Sequence, residues 1–471
     1  MSKVLNNDKF FQLLTLFIIL QPILDILTNA MLQFTNSSIT IGILIRMLFM
    51  GIALFFIFFG SQHPYKKQVS IYLALLLLVL GIGFINNYFQ KPVFNLFIEV
   101  QWLTKVIYFS VMICSIYLLF QNKKNVDFIK TRLLNYIIYA LVIIGVSILI
   151  AIITNTSVDS YEWVKAGFKG WFYSANELSA LLAIGFPLSI LFAIRKTKSW
   201  YSFWVWIPAL LVALIGALIG TKVGLFAVYI TCIFISLFIA IHYIVASIKK
   251  TNDRKILLPT FVYSIALLAV ILIVSPFTPG YQNLSVELPE PDQEDIDKGF
   301  EDVPGQGGNG ESSGESEDEI IEGEDTRVTF EINSPIVNKI LSSRHIYFTW
   351  QLNQMIRADV SQKILGMGYA GNYINNRKTI EMDFFDIFFS FGVIGFILVM
   401  LPLFMLIGIV LKKLFTNFKQ IFHVENISLI ISILLGLGIA LIAGHVWVAP
   451  AVNLYLALSM VLLYINLKTN E

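Results

Sequence analysis

Ionisable side chains interrupt or border stretches of this chain that are otherwise built from Leu, Ile, Phe and Val: Asp25, Arg46, Glu99, Lys105, Glu177, Lys222, Asp383, Asp386 and His445. A charge near the centre of a bilayer costs roughly 2.5–3.5 kcal/mol even on insertion scales, so each marks a functional group or a dedicated partner. Asp25 and Arg46 each lie about seven residues, ~10 Å, from the same end of consecutive antiparallel runs, an equal depth that suggests an ion pair with a structural role. Snorkelling at the interface accounts well for Glu177 and His445 but poorly for Arg46 and Glu99. Arg344 is different again. It sits at the centre of a helical apolar stripe of Val337, Ile340, Leu341, Tyr347, Phe348 and Met355, four residues from both Ile340 and Phe348. A guanidinium there points toward the apolar domain and needs an anion. Glu381 and Asp383 stand where the next apolar run opens. A carboxylate at a membrane rim, its pKa raised by partial desolvation, can act as a general base, although acids in a first helical turn also serve simply as caps. Apart from Lys105, these charges gather toward one side, which suits a reaction at one membrane face better than a path through it.

The elements that must hold these groups follow from composition. Of 471 residues, 57% are hydrophobic and 14% charged, too apolar for a soluble core of this size. Twelve runs are long enough to cross a ~30 Å hydrocarbon core: 10–32, 39–60, 69–89, 93–120, 133–154, 175–194, 201–219, 222–246, 256–275, 383–411, 427–446 and 448–466. The expected fold is therefore an all-α polytopic membrane bundle. With both termini cytoplasmic, nineteen Lys and Arg fall in inside segments, while the short outside connections hold Lys91, Lys165, Lys169 and Lys222. That asymmetry orients the chain in a cytoplasmic membrane by the positive-inside rule. Cys114 and Cys232 both fall inside apolar runs and are read as core packing. No cofactor, metal or nucleic-acid partner is expected.

Residues 1–275 form the first nine helices and 383–471 the last three, and the chain between them is placed outside. Within 276–334, Glu287 to Asp325 carries sixteen acidic residues against Lys298 alone, among Gly and Ser repeats. Such a stretch buries too little apolar surface to offset its ordering entropy and is expected to be disordered. In 335–382 a helical period returns from Pro335 to about Arg357, with Ser334 as its cap.

Four blocks resemble the O-antigen ligases and surface-polysaccharide polymerases, membrane glycosyltransferases with a large external loop. In GFKGWFYSANELSALLAIGFPL (Gly167 to Leu188), Lys169, Gly170, Phe172 and Asn176 hold the family's basic, glycine, aromatic and asparagine places. GTKVGLF resembles its short turn between two helices, with Lys222 where arginine is usual. SSRHIYFTW, with Arg344, is followed by LGMGYAGNY, where Gly366 and Gly368 match a Gly-x-Gly. EMDFFDIFFSFGVIG ends in Gly392 and Gly395, and has Glu381 where the family commonly shows histidine. The resemblance implies metal-independent glycan transfer from an undecaprenyl-diphosphate carrier to an acceptor hydroxyl at the outer membrane face. The acceptor would be a glycan or a lipid-anchored glycan. Arg344, Lys222 and Lys169 would then meet the donor diphosphate, and Glu381 or Asp383 would serve as base. The rival class is a lipid-linked oligosaccharide flippase or other polytopic transporter. Deleting Glu287 to Asp325 is expected to leave membrane accumulation and transfer intact; a deletion variant that reaches the membrane intact but is inactive would contradict this.

Overall fold

A computed structural model describes residues 5–35, 40–120, 125–161, 165–286, 341, 344–372 and 378–468. The acidic segment, Ser334, Pro335, Val337 and Ile340 lie outside these residues. The described chain is helical apart from one small hairpin. Its helices are α1 (Asn7–Phe34), α2 (Ile41–Phe55), α3 (Lys66–Gln90), α4 (Leu96–Leu118) and α5 (Val126–Ile153). The hairpin β1 (Val158–Asp159) and β2 (Phe168–Gly170) precedes α6 (Ala175–Lys196), α7 (Ile207–Leu218), α8 (Lys222–Ile248), α9 (Arg254–Val274) and the short α10 (Pro279–Gln282). After them come α11 (Arg344–Arg357), α12 (Val360–Leu365), α13 (Asp383–Thr416), α14 (Phe418–Ile421), α15 (Val424–Ile442) and α16 (Pro450–Lys468).

Eleven helices among the described residues are long and apolar enough to cross a membrane, as a polytopic helical protein requires. The expected span 201–219 is shorter than the rest. A 3-10 segment, Ser202–Trp206, runs into α7, and at ~2.0 and ~1.5 Å per residue the two cover about 28 Å, just under a hydrocarbon core. Local chemistry marks several helix starts. Asn6 caps α1 by accepting from Lys9 N at 3.0 Å, and Thr221 caps α8 from Gly224 N at 3.1 Å. Ser174, with Glu177 three residues on, caps α6. α6 and α16 are buried along most of their length and form the centre, whereas α3, α9 and α13 present mainly apolar surface outward.

The element that departs from a simple bundle is α13. Gly392 has φ +64 and ψ −171, so the helix breaks there. Two carbonyls just before the break bond to another segment: Met367 N donates to Phe389 O at 2.8 Å and Gly368 N to Ser390 O at 3.0 Å. The approach is backbone to backbone. A β-carbon at Gly392 would meet Gly366 N at 2.5 Å, and one at Gly83 of α3 would meet Leu365 O at 2.8 Å. Gly83 lies about seven residues, ~10 Å, from the end of α3, so Leu365 packs that far along α3 and the Gly-x-Gly turn after it is buried, while Val360 and Ile364 of α12 stay exposed. Glu99 locks this turn from α4. Its carboxylate accepts from Tyr369 N at 2.9 Å and from Lys91 Nζ at 2.5 Å, and Lys91 also donates to Tyr369 O. A β-carbon at Gly368 would stand 2.8 Å from Glu99 Oε2.

Asn283, just past α10, makes a second tie at the same end of the bundle. It donates to Ala166 O and Gly220 O and accepts from Ala166 N, clasping the loops before α6 and α8. Gly392→Ala is expected to lower the detergent Tm sharply, by an amount equivalent to about 3 kcal/mol or more, because both its φ and the facing backbone exclude a β-carbon. Gly408→Ala, in the same helix with open space around it, is expected to leave Tm unchanged or raise it. Equal Tm values for the two variants would refute the break as a structural requirement.

Candidate active site

The half-helix of α13 before the break begins with two buried acids, and both are spent on backbone. Asp386 accepts from Ile380 N at 2.8 Å and Met382 N at 3.0 Å, bending the entering chain over the helix start. Asp383 accepts from His445 N, Val446 N and Trp447 N at 3.1, 2.9 and 2.6 Å, gripping the loop between α15 and α16. The two clamps bring Glu381 and His445 face to face, with His445 Nε2 3.8 Å from Glu381 Oε2. Both residues are in the left-handed region, at φ 62 and φ 60. A β-carbon on the neighbouring Gly444, φ +66, would meet Glu381 O at 2.6 Å.

Arg344 of α11 completes the group. Its Nη2 donates to Glu381 Oε2 at 3.0 Å and its Nη1 to Leu341 O at 3.4 Å, while Nε is buried with no partner. Phe348 of the expected stripe packs edge-on against Phe385, so the apolar face of α11 does rest on α13. The desolvation expected to raise Glu381 is present and is its largest influence. It is outweighed by the facing His445 and by the charges of Arg344 and Lys378, which hold the carboxyl down at about 2. His445 moves the other way. Burial pushes it down, but Glu381, Glu177 and Asp383 together bring it above the ordinary imidazole value. His445 is therefore tied to a group of acids at this end of the bundle. The signal for it in the sequence is a glycine–histidine pair closing an apolar run, at the same end of the bundle as Glu381.

The other expected residues divide into two places. Lys169 lies in β2 and Lys222 opens α8, both on the loops that Asn283 clasps. Burial and the nearby Lys222 charge lower the pKa of Lys165. The contacts of Arg344 run to Glu381 and Leu341, and none described reaches Lys169 or Lys222. Asp25 and Arg46 meet at 2.5 Å, with Gln21 Oε1 accepting from Arg46 Nε at 3.0 Å. They are not isolated from the first group. Glu177 is close enough for its charge to act on both Arg46 and His445, and the hydroxyls of Tyr108 and Tyr455 are buried nearby without partners.

Breaking a desolvated ion pair costs about 3–5 kcal/mol. Asp25→Ala and Arg46→Ala are each expected to reduce accumulation and detergent Tm more than the double swap Asp25→Arg with Arg46→Asp; equal losses in all three would remove the case for pairing.

A family model described as O-antigen ligase like membrane protein matches residues 7–470. No curated protein and no solved structure matches the chain. The family is a glycosyltransferase-like class acting in cell-surface polysaccharide assembly. With nearly the whole chain covered, this protein belongs to the O-antigen ligase like membrane proteins.

Proposed function

We propose that the protein transfers a glycan from an undecaprenyl-diphosphate carrier to a hydroxyl of a glycan or lipid-anchored acceptor, at the outer face of a cytoplasmic membrane. The observation that carries this reading is Arg344, a half-buried guanidinium with one N–H unpartnered, set against a carboxylate and an imidazole at one end of the bundle. Transfer needs positive charge where the diphosphate leaves and a base where the acceptor arrives. Arg344 supplies the first, and Lys169 and Lys222 add to it as the carrier headgroup extends toward the clasped loops. These cations neutralise the leaving group without a metal. The pair Glu381 and His445 supplies the second. Asp383, whose oxygens already accept three backbone N–H groups, holds that pair in place.

The contact from Arg344 to Glu381 also fits a purely structural bridge that fixes α11, and the two readings differ in what substitution does. A diphosphate site keeps part of its donor binding in Arg344→Lys, which retains the charge but not the fork, and loses nearly all turnover in Arg344→Ala. In a structural bridge, lost activity tracks lost stability. The expected outcome is a turnover loss of about 10²-fold or more in Arg344→Ala with a donor lipid-diphosphate oligosaccharide, beside a small Tm change in detergent. Near wild-type transfer by Arg344→Ala would put the donor site elsewhere.

A further inference from the structure

Which group of the acid–base pair takes the proton can be argued further, on the basis of the transfer reaction proposed above. We infer that His445 is the general base and Glu381 its positioning partner, the imidazole receiving the acceptor proton on Nδ1 while Nε2 faces the Glu381 carboxylate.

The backbone is the first argument. Five non-glycine residues among those described have positive φ: Asn155, Lys250, Ala370, Glu381 and His445. Asn155 and Lys250 follow helix ends, where left-handed residues are ordinary terminators, and Ala370 belongs to a glycine-rich turn. Glu381 instead precedes a helix, and His445 comes after Gly444, whose own positive φ already turns the chain beyond α15. They face each other across 3.8 Å, and each is held by a buried carboxylate, Asp386 bonding on either side of Glu381 and Asp383 bonding His445 itself. Strain kept in place from both sides belongs to a working geometry more than to a cap.

The second argument is the use of the Glu381 oxygens. Oε2 accepts from Arg344 Nη2 at 3.0 Å and faces His445 Nε2 at 3.8 Å, so its charge is already matched by the guanidinium. A carboxylate so matched is a weak acceptor for a hydroxyl proton. The imidazole has the opposite surroundings: Glu381, Glu177 and Asp383 favour its cation, opposed by its burial. Its Nδ1 is engaged by no described residue, and 28% of the side chain is exposed, leaving that edge open to an acceptor. In the step, the acceptor O–H proton passes to Nδ1 and the oxygen bonds to the anomeric carbon. The bond from that carbon to the phosphate oxygen breaks, its electron pair leaving with the diphosphate. The imidazolium so formed is held by Glu381 and returns its proton to water when the product departs.

The test uses the full chain in detergent, with 13C-labelled histidine and His445→Asn, a residue that tolerates the left-handed backbone, to assign the His445 resonance. The expected titration of His445 lies above the ordinary imidazole value of about 6.5 and moves down in Glu381→Gln. In turnover, activity is expected to fall as pH drops through the same value, because the base must be neutral. Glu381→Gln should carry that limb to lower pH while keeping turnover at high pH, and His445→Asn should lower kcat by about 10²–10⁴-fold with Tm maintained. Near wild-type kcat in His445→Asn, with Glu381→Gln inactive at every pH, would make Glu381 the base and overturn the inference. Failure of the wild type to use a lipid-diphosphate glycan would count against the proposed function instead. The resonance still decides the pair in that event, since a His445 that titrates ordinarily and ignores Glu381→Gln overturns it.

Discussion

A helix that crosses a membrane satisfies its own backbone, and wherever it is broken the freed carbonyls must find donors inside the protein. In this chain that requirement falls on α13 at Gly392, and the turn from Gly366 to Gly368 meets it by donating to Phe389 O and Ser390 O. The remaining architecture at this end of the bundle follows. The turn has to descend beside α3 to reach those carbonyls, glycines are required where backbones touch, and Glu99 with Lys91 secures the turn from the side. Because α13 is broken, its first half can take an orientation of its own. That half carries Asp383 and Asp386, the two acids that organise the site.

Those acids illustrate how buried charge is tolerated. Neither has a cationic side chain as its hydrogen-bond partner; each is satisfied by backbone N–H groups of a chain segment it thereby fixes. Carboxylate oxygens accept several such bonds at once, so two side chains fix two separate segments. Glu381 is treated differently. It meets a guanidinium and an imidazole, and the balance between its burial and those neighbours keeps it ionised. A site arranged this way presents Arg344 with one N–H still unpartnered and His445 with a nitrogen edge open, in the place where an anionic headgroup and a hydroxyl would meet.

The pair of Asp25 and Arg46 sits deeper, and its setting modifies the view of it as scaffold alone. Glu177 bridges it electrostatically to His445, and unpartnered tyrosine hydroxyls surround it. Charges that share a low-dielectric interior act on one another over longer distances than at a surface.

Much of this was legible in the residues. Runs of about twenty apolar side chains read as membrane helices, so fold class, the number of spans within one and the meeting of Asp25 with Arg46 came from composition and the fixed rise of a helix. The stripe around Arg344 likewise announced a cation in need of an anion, because helical periodicity is local. The shortness of α7 was less visible, since hydropathy does not distinguish a 3-10 start from an α-helical one. What local pattern could not carry was pairing across the chain. That Asp383 grips the loop at His445, that Glu381 ends up ionised between a guanidinium and an imidazole, and that the Gly-x-Gly turn plugs a broken helix all depend on segments tens of residues apart being brought into contact. A carboxylate's sequence neighbours say whether it is near a membrane; only its spatial neighbours decide whether burial or a facing cation wins.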